Sequence, residues 1–132
     1  MKYMLDTNIC IYTIKHKPDT VIQNFLLHDP EEMCISAVTY AELMHGVEKS
    51  RAADKNRIAL ALFLSPLTIL DFSVCAAEEY GKIREELERR GTPIGPMDLL
   101  IAGHARAERL VLVTNNTKEF LRVEGLAAEN WT

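Results

Sequence analysis

The stretch YMLDTNICIYTI, residues 3–14, decides the fold class. Tyr3, Met4 and Leu5 form an apolar run of the length of a buried strand, and Ile9 to Ile14 read as the opening of a helix. Asp6 stands where the strand stops, followed by Thr7 and Asn8. A carboxylate so close to a core is costly unless it is hydrogen-bonded, paired or bound to a metal. Two readings compete for it: a cap on the helix that starts at Thr7 or Asn8, or a functional acid at the exit of a strand.

The strand-then-helix alternation continues along the chain. The helix after Asp6 is expected to reach about His16, before the Lys17-Pro18 break, and Asp19 can cap a second helix through Val21, Ile22, Phe25 and Leu26. Met33–Ile35 reads as a strand, followed by a helix from Ser36 or Thr39 to about Ser50 and another over Ala53–Leu64. Thr68–Leu70 is a strand, and a long helix opening at Ser73 carries Ala76, Tyr80, Ile83 and Leu87 at helical spacing until Gly91 stops it. Pro96 and Asp98 begin a helix to about Arg109, and Leu110–Thr114 is the clearest strand. Short apolar strands alternating with helices predict an α/β fold with a parallel sheet of four to five strands covered on both faces. Ligands of such sheets bind outside the carboxyl ends of the strands, where Asp6 and Thr114-Asn115-Asn116 would lie.

Bulk properties bound the function. A chain of 132 residues without repeats or linkers fits one domain, residues 1–132, and can bury a real core. It is 48% hydrophobic and 26% charged, with a formal net charge of -4. That balance excludes a generally cationic nucleic-acid binder, but a carboxylate cluster that recruits a divalent cation is compatible with a nuclease. Cys10, Cys34 and Cys75 lack metal-site spacing and read as small buried hydrophobes of a reducing compartment. No leader and no membrane-length apolar run is evident, so a cytoplasmic protein is expected.

Acids on faces that should be apolar are the informative residues. Asp98 shares a stripe with Ile101, Ala102 and Ala105 in a mostly apolar helix, and is either a first-turn acid facing the helix dipole or a site residue. Glu42, among Val38, Ala41, Leu43 and Met44, either reaches solvent from a boundary or is aimed inward. Converging carboxylates repel and raise one another's pKa unless a cation lies between them. An all-oxygen set suits magnesium or manganese and argues against zinc. The chemistry implied is metal-assisted phosphodiester hydrolysis.

Four motifs carry a family resemblance: the opening M-L-D-T-N, T-Y-A-E-L-x-x-G over Thr39–Gly46, I-G-P-x-D-x-x-I-A-G-H-A over Ile94–Ala105, and V-T-N-N-x-x-E-F over Val113–Phe120. The chain resembles the PIN-domain ribonucleases, specifically the VapC-type toxins of bacterial toxin–antitoxin pairs, over essentially its whole length. The resemblance implies a three-layer α/β/α fold and Mg2+- or Mn2+-dependent endoribonuclease activity. It places Asp6, Glu42 and Asp98 at the acidic catalytic positions, with Asp6 and Asp98 as direct metal ligands and Glu42 holding the metal or orienting water. It also implies cleavage of initiator tRNA in the anticodon stem-loop, which would inhibit translation, a VapB-type antitoxin partner, and a homodimer.

The chain departs from the pattern at Asn116, where many PIN domains carry a fourth acid. An amide oxygen still accepts a contact but adds no charge. Glu119, three residues on, is the candidate to supply it, and Thr114 is either a second support that orients Asp6 or a plain β-branched strand residue. His45 and His104 read as packed or partly exposed helix residues. The basic runs Lys49, Arg51, Lys55, Arg57 and Lys82, Arg84, Arg89, Arg90 are solvated faces or a phosphate-tracking surface. Two rivals remain. An acid-nucleophile phosphatase would want an acid at position 8, where Asn8 stands, and a non-catalytic PIN-like module would bind protein or RNA with vestigial acids.

Overall fold

The computed structural model describes all residues, Met1–Thr132. Five strands, β1 (Tyr3–Leu5), β2 (Met33–Ser36), β3 (Thr68–Leu70), β4 (Val111–Val113) and β5 (Ala128–Glu129), alternate with helices. The helices are α1 (Thr7–Lys15), α2 (Asp19–Leu26), α3 (Ala37–Lys49), α4 (Ala53–Leu64), α5 (Val74–Arg89), α6 (Pro96–Ala107) and the single turn α7 (Thr117–Phe120). All strands are parallel, in the order β3-β2-β1-β4-β5. The chain moves outward from β1 to β2 to β3, then returns to the other side of β1 with β4. The order therefore reverses between β1 and β4, and the carboxyl ends there form the crevice where α/β sheets bind ligands.

Alternation along β1 divides the interior into two cores. Tyr3 and Leu5 point to one face with Ile9, Val21, Leu43, Leu60 and Trp131, beneath α1 to α4. Met4 points to the other with Ile83, Leu87, Ile101, Leu112 and Phe120, beneath α5 and α6. The result is the expected three-layer α/β/α arrangement. No helix is long and apolar enough to cross a membrane.

Several expectations need correction. Asp19 is the first residue of α2 but not its cap: Pro18 occupies the cap position in extended conformation, and no side chain bonds the free N–H groups. Of the α2 stripe only Val21 is buried, and Leu26 is 73% exposed, because the short helix lies at the rim of the layer. Cys75 is exposed, on the outer face of the first turn of α5. β3 is an edge strand whose Thr68 and Ile69 are exposed, and β5 adds a two-residue fifth strand near the end of the chain.

Candidate active site

Asp6 leaves β1 at the reversal point and is both cap and buried acid. Its Oδ1 accepts the Ile9 N–H at 2.9 Å, closing the first turn of α1, and the residue is only 5% exposed. Burial pushes its pKa up to about 6, opposed by the neighbouring Thr114 hydroxyl and by the hydrogen bond from the Ile9 N–H, and reinforced by the charges of Asp98 and Glu42. Register explains the Thr114 contact: Leu5 pairs with Val113, so the residues that follow each strand emerge side by side.

The other acids reach the same end from helices. Asp98 lies in the first turn of α6, after Gly95 and Pro96, and is half-buried. Its pKa is raised, first by desolvation and then by the charges of Glu119 and Glu42. Glu42, in the second turn of α3, takes a 2.6 Å hydrogen bond from the Thr7 hydroxyl at Oε1, which leaves Oε2 uncommitted. Glu119, in α7, enters the site through its effect on Asp98. Asn116 occupies the cap position of α7 without a side-chain cap bond, and its N–H donates to Thr114 Oγ1 at 2.9 Å. The fold thus brings together Asp6, Glu42, Asp98 and Glu119, with Thr114 and Asn116 beside them.

The acids are near enough to feel one another's charge, yet no three His, Cys, Asp or Glu groups are gathered tightly enough to ligate a common ion directly. Magnesium is usually held by one or two carboxylates with waters completing the shell, which does not require three acids in direct contact with the ion. An all-oxygen, net-negative donor set whose members already raise one another's proton affinity fits a hard divalent cation.

The PIN domain family matches residues 3–126 of the chain. The chain belongs to that family. A tRNA(fMet)-specific endonuclease VapC from Shigella flexneri is 51% identical over 132 residues, covering 100% of this chain and 99% of the relative. Ribonuclease VapC2 from Rickettsia felis is 50% identical over 132 residues, covering 99% of this chain and 98% of that protein. Among solved structures, VapBC from Salmonella typhimurium bound to DNA superposes with a TM-score of 0.93 at 48% identity, covering 100% of this chain and 99% of that one.

Two features of this PIN domain escaped the sequence reading. Thr7, the residue after Asp6, anchors Glu42 and so ties α1 to α3; its adjacency to the first acid was the available signal. His104, expected only as a packed residue, is fully buried with its Nδ1 2.8 Å from Ser36 Oγ, against the edge-on ring of Phe72. Ser36 in turn accepts the Val38 N–H and caps α3. One buried pair therefore links the PIN-domain helix that carries Asp98 to the start of the helix that carries Glu42. Burial lowers the His104 pKa and so favours the neutral ring. His45 is exposed.

Proposed function

We propose that this endoribonuclease is the toxin of a toxin–antitoxin pair and cuts initiator tRNA in its anticodon stem-loop, so arresting translation, with Mg2+ or Mn2+ held by Asp6, Asp98 and Glu42. One observation carries the reading: acids from β1, α3, α6 and α7 converge on the reversal point of the sheet, and charge repulsion there is tolerated only for a purpose that needs a cation. When bound, a divalent cation balances the acids, offsets charge growing on the phosphate in the transition state and makes water a better nucleophile.

The chain's own groups do the rest. Asp6 and Asp98 bind the cation. Asp6 is held by its cap bond to Ile9 and by Thr114, so its carboxylate is oriented before anything binds. Glu42, fixed through Oε1 by Thr7, keeps Oε2 to help hold the cation or to orient the attacking water. Glu119 restores the negative charge that Asn116 does not supply, while the Asn116 amide is free to contact water or substrate. Hydrolysis breaks one P–O bond of the backbone, and the leaving oxygen takes up a proton.

A VapB-type antitoxin is the expected partner, blocking the acids until released, and the working form is a homodimer in the cytoplasm. Support comes from the solved relative, which is a VapBC complex, and from the relative named for tRNA(fMet) cleavage. The test is to incubate the partner-free protein with initiator and elongator tRNAs in magnesium and map the cut ends. A single cut in the initiator anticodon stem-loop is expected. Cuts spread over all tRNAs would overturn the substrate assignment, and intact RNA in every lane would leave a PIN-like binding module.

A further inference from the structure

We propose that Lys15 and Lys49 form a phosphate clamp that grips the RNA strand to one side of the bond being cut. The proposal rests on the reading of the site as an RNA-cleaving one. A groove of about 1010 Å³ opens between α1, α3 and α4. Thr7 and Glu42 line one part of it, Ile11, Val47 and Leu60 form apolar walls, and Lys15 and Lys49 also line it. Of the four acids only Glu42 lines the groove, so the groove meets the acid cluster at Glu42.

Place in the fold and pairing together single these two lysines out. Half of the basic runs expected to track phosphate is engaged elsewhere: Arg57 pairs with Glu48 and Asp54, Lys82 with Glu79, Arg84 with Glu88 and Arg90 with Glu86, while Arg51, Lys55 and Arg89 lie outside the groove. Among all Lys and Arg of the chain, only Lys15 and Lys49 line the groove, and neither has a carboxylate partner. They are free to take an external anion.

Helix geometry sets the spacing. Lys15 lies two turns along α1 from Thr7, and Lys49 two turns along α3 from Glu42, so each is displaced by about 10 to 12 Å along its helix axis. The two starting points are joined by the 2.6 Å Thr7–Glu42 bond. That displacement matches roughly three stacked nucleotides at about 3.4 Å per nucleotide. A single strand leaving the cut would lay its bases on the apolar walls and present phosphates to the lysines, the arrangement used for unpaired nucleic acid. Both lysines are also in the last turns of their helices, where a cation faces the negative end of the dipole. The dipole alone gives no reason for both to line one groove that begins at Glu42.

The test measures binding of a fluorescent RNA stem-loop to Asp98→Asn protein, which does not cut it, across a series of salt concentrations. Lys15→Gln with Lys49→Gln should weaken binding about tenfold and make the slope of log affinity against log salt shallower by about 1.4, since each single-strand phosphate contact contributes about 0.7. Lys15→Arg with Lys49→Arg should retain wild-type affinity, and Arg89→Gln, outside the groove, should leave slope and affinity unchanged. An unchanged slope in the Gln pair overturns the clamp, whether or not its melting temperature falls as a pure dipole role requires. Loss of antitoxin binding with RNA binding intact overturns it in favour of a protein occupant, and so does failure of the stem-loop to bind at all. The nuclease reading fails separately, if wild-type protein in magnesium cuts no RNA.

Discussion

Asp6 performs two tasks that pull against each other. As the cap of α1 it needs an oxygen facing the Ile9 N–H, while its burial penalises the charge that oxygen carries. Its folded pKa, about 6, lies above the ordinary 3.8, so the folded protein binds a proton more tightly than the unfolded chain. For the cation-free protein, the contribution of Asp6 to stability therefore falls as pH rises from about 4 through about 6, by on the order of 2 to 3 kcal/mol. Asparagine caps a helix nearly as well and carries no charge. In EDTA, Asp6→Asn should be more stable than wild type by about that amount at pH 7.5, with the gap closing near pH 4; urea melts at both pH values check it. Equal stabilities at pH 7.5 would mean that Asp6 is better solvated than its burial implies. Thr7 offers a second check. Thr7→Val removes the hydrogen bond to Glu42 and should cost about 1 to 2 kcal/mol of stability. It should also slow cleavage, because Glu42 loses its orientation; cleavage at the wild-type rate would remove Thr7 from the site.

At the scale of elements, the approach of α6 to α5 sets where Asp98 stands. A Cβ on Gly103 would lie 2.8 Å from the Tyr80 backbone nitrogen and 3.1 Å from the Ala76 carbonyl oxygen, both main-chain atoms that cannot swing aside. Gly103→Ala should therefore destabilise by about 1 to 3 kcal/mol and displace the helix bearing Asp98. Gly81→Ala, where a Cβ meets nothing within 4 Å, should instead stabilise α5 by about 0.5 to 1 kcal/mol. Parallel thermal melts compare the two, and a neutral Gly103→Ala would show that the helices can part. The helices themselves were largely legible in the sequence, because breaks and caps are local: Ser65-Pro66 ends α4, Ser73 caps α5, and Gly91 takes the left-handed conformation just after it. The acids were legible for a related reason, since charge in an apolar pattern is visible without coordinates. Pairing partners were not. β5 has two residues and exists only because β4 offers Leu112 and Val113 as partners, and the exposure of β3 follows from its place at the sheet edge. The Ser36–His104 bond joins residues 68 apart, a distance no local pattern encodes.

For the whole molecule, the sheet order supplies the logic that no single element contains. Reversal between β1 and β4 brings Asp6, the first acid of the chain, beside the end of β4, and the flanking helices deliver Glu42 and Asp98 from the two opposite layers. The acid cluster is thus a product of the global topology, and it carries raised proton affinities at Asp6 and Asp98. Removing one charge should relieve the apo protein while disabling the enzyme. The most direct test is cleavage of tRNA by partner-free protein in manganese, run with wild type, Asp98→Asn and an EDTA control, each variant first melted in EDTA to establish folding. The account predicts discrete fragments from wild type alone, and an Asp98→Asn protein that melts at or above the wild-type temperature yet cuts nothing. Fragments that persist in EDTA, or that a well-folded Asp98→Asn protein releases at the wild-type rate, would contradict it.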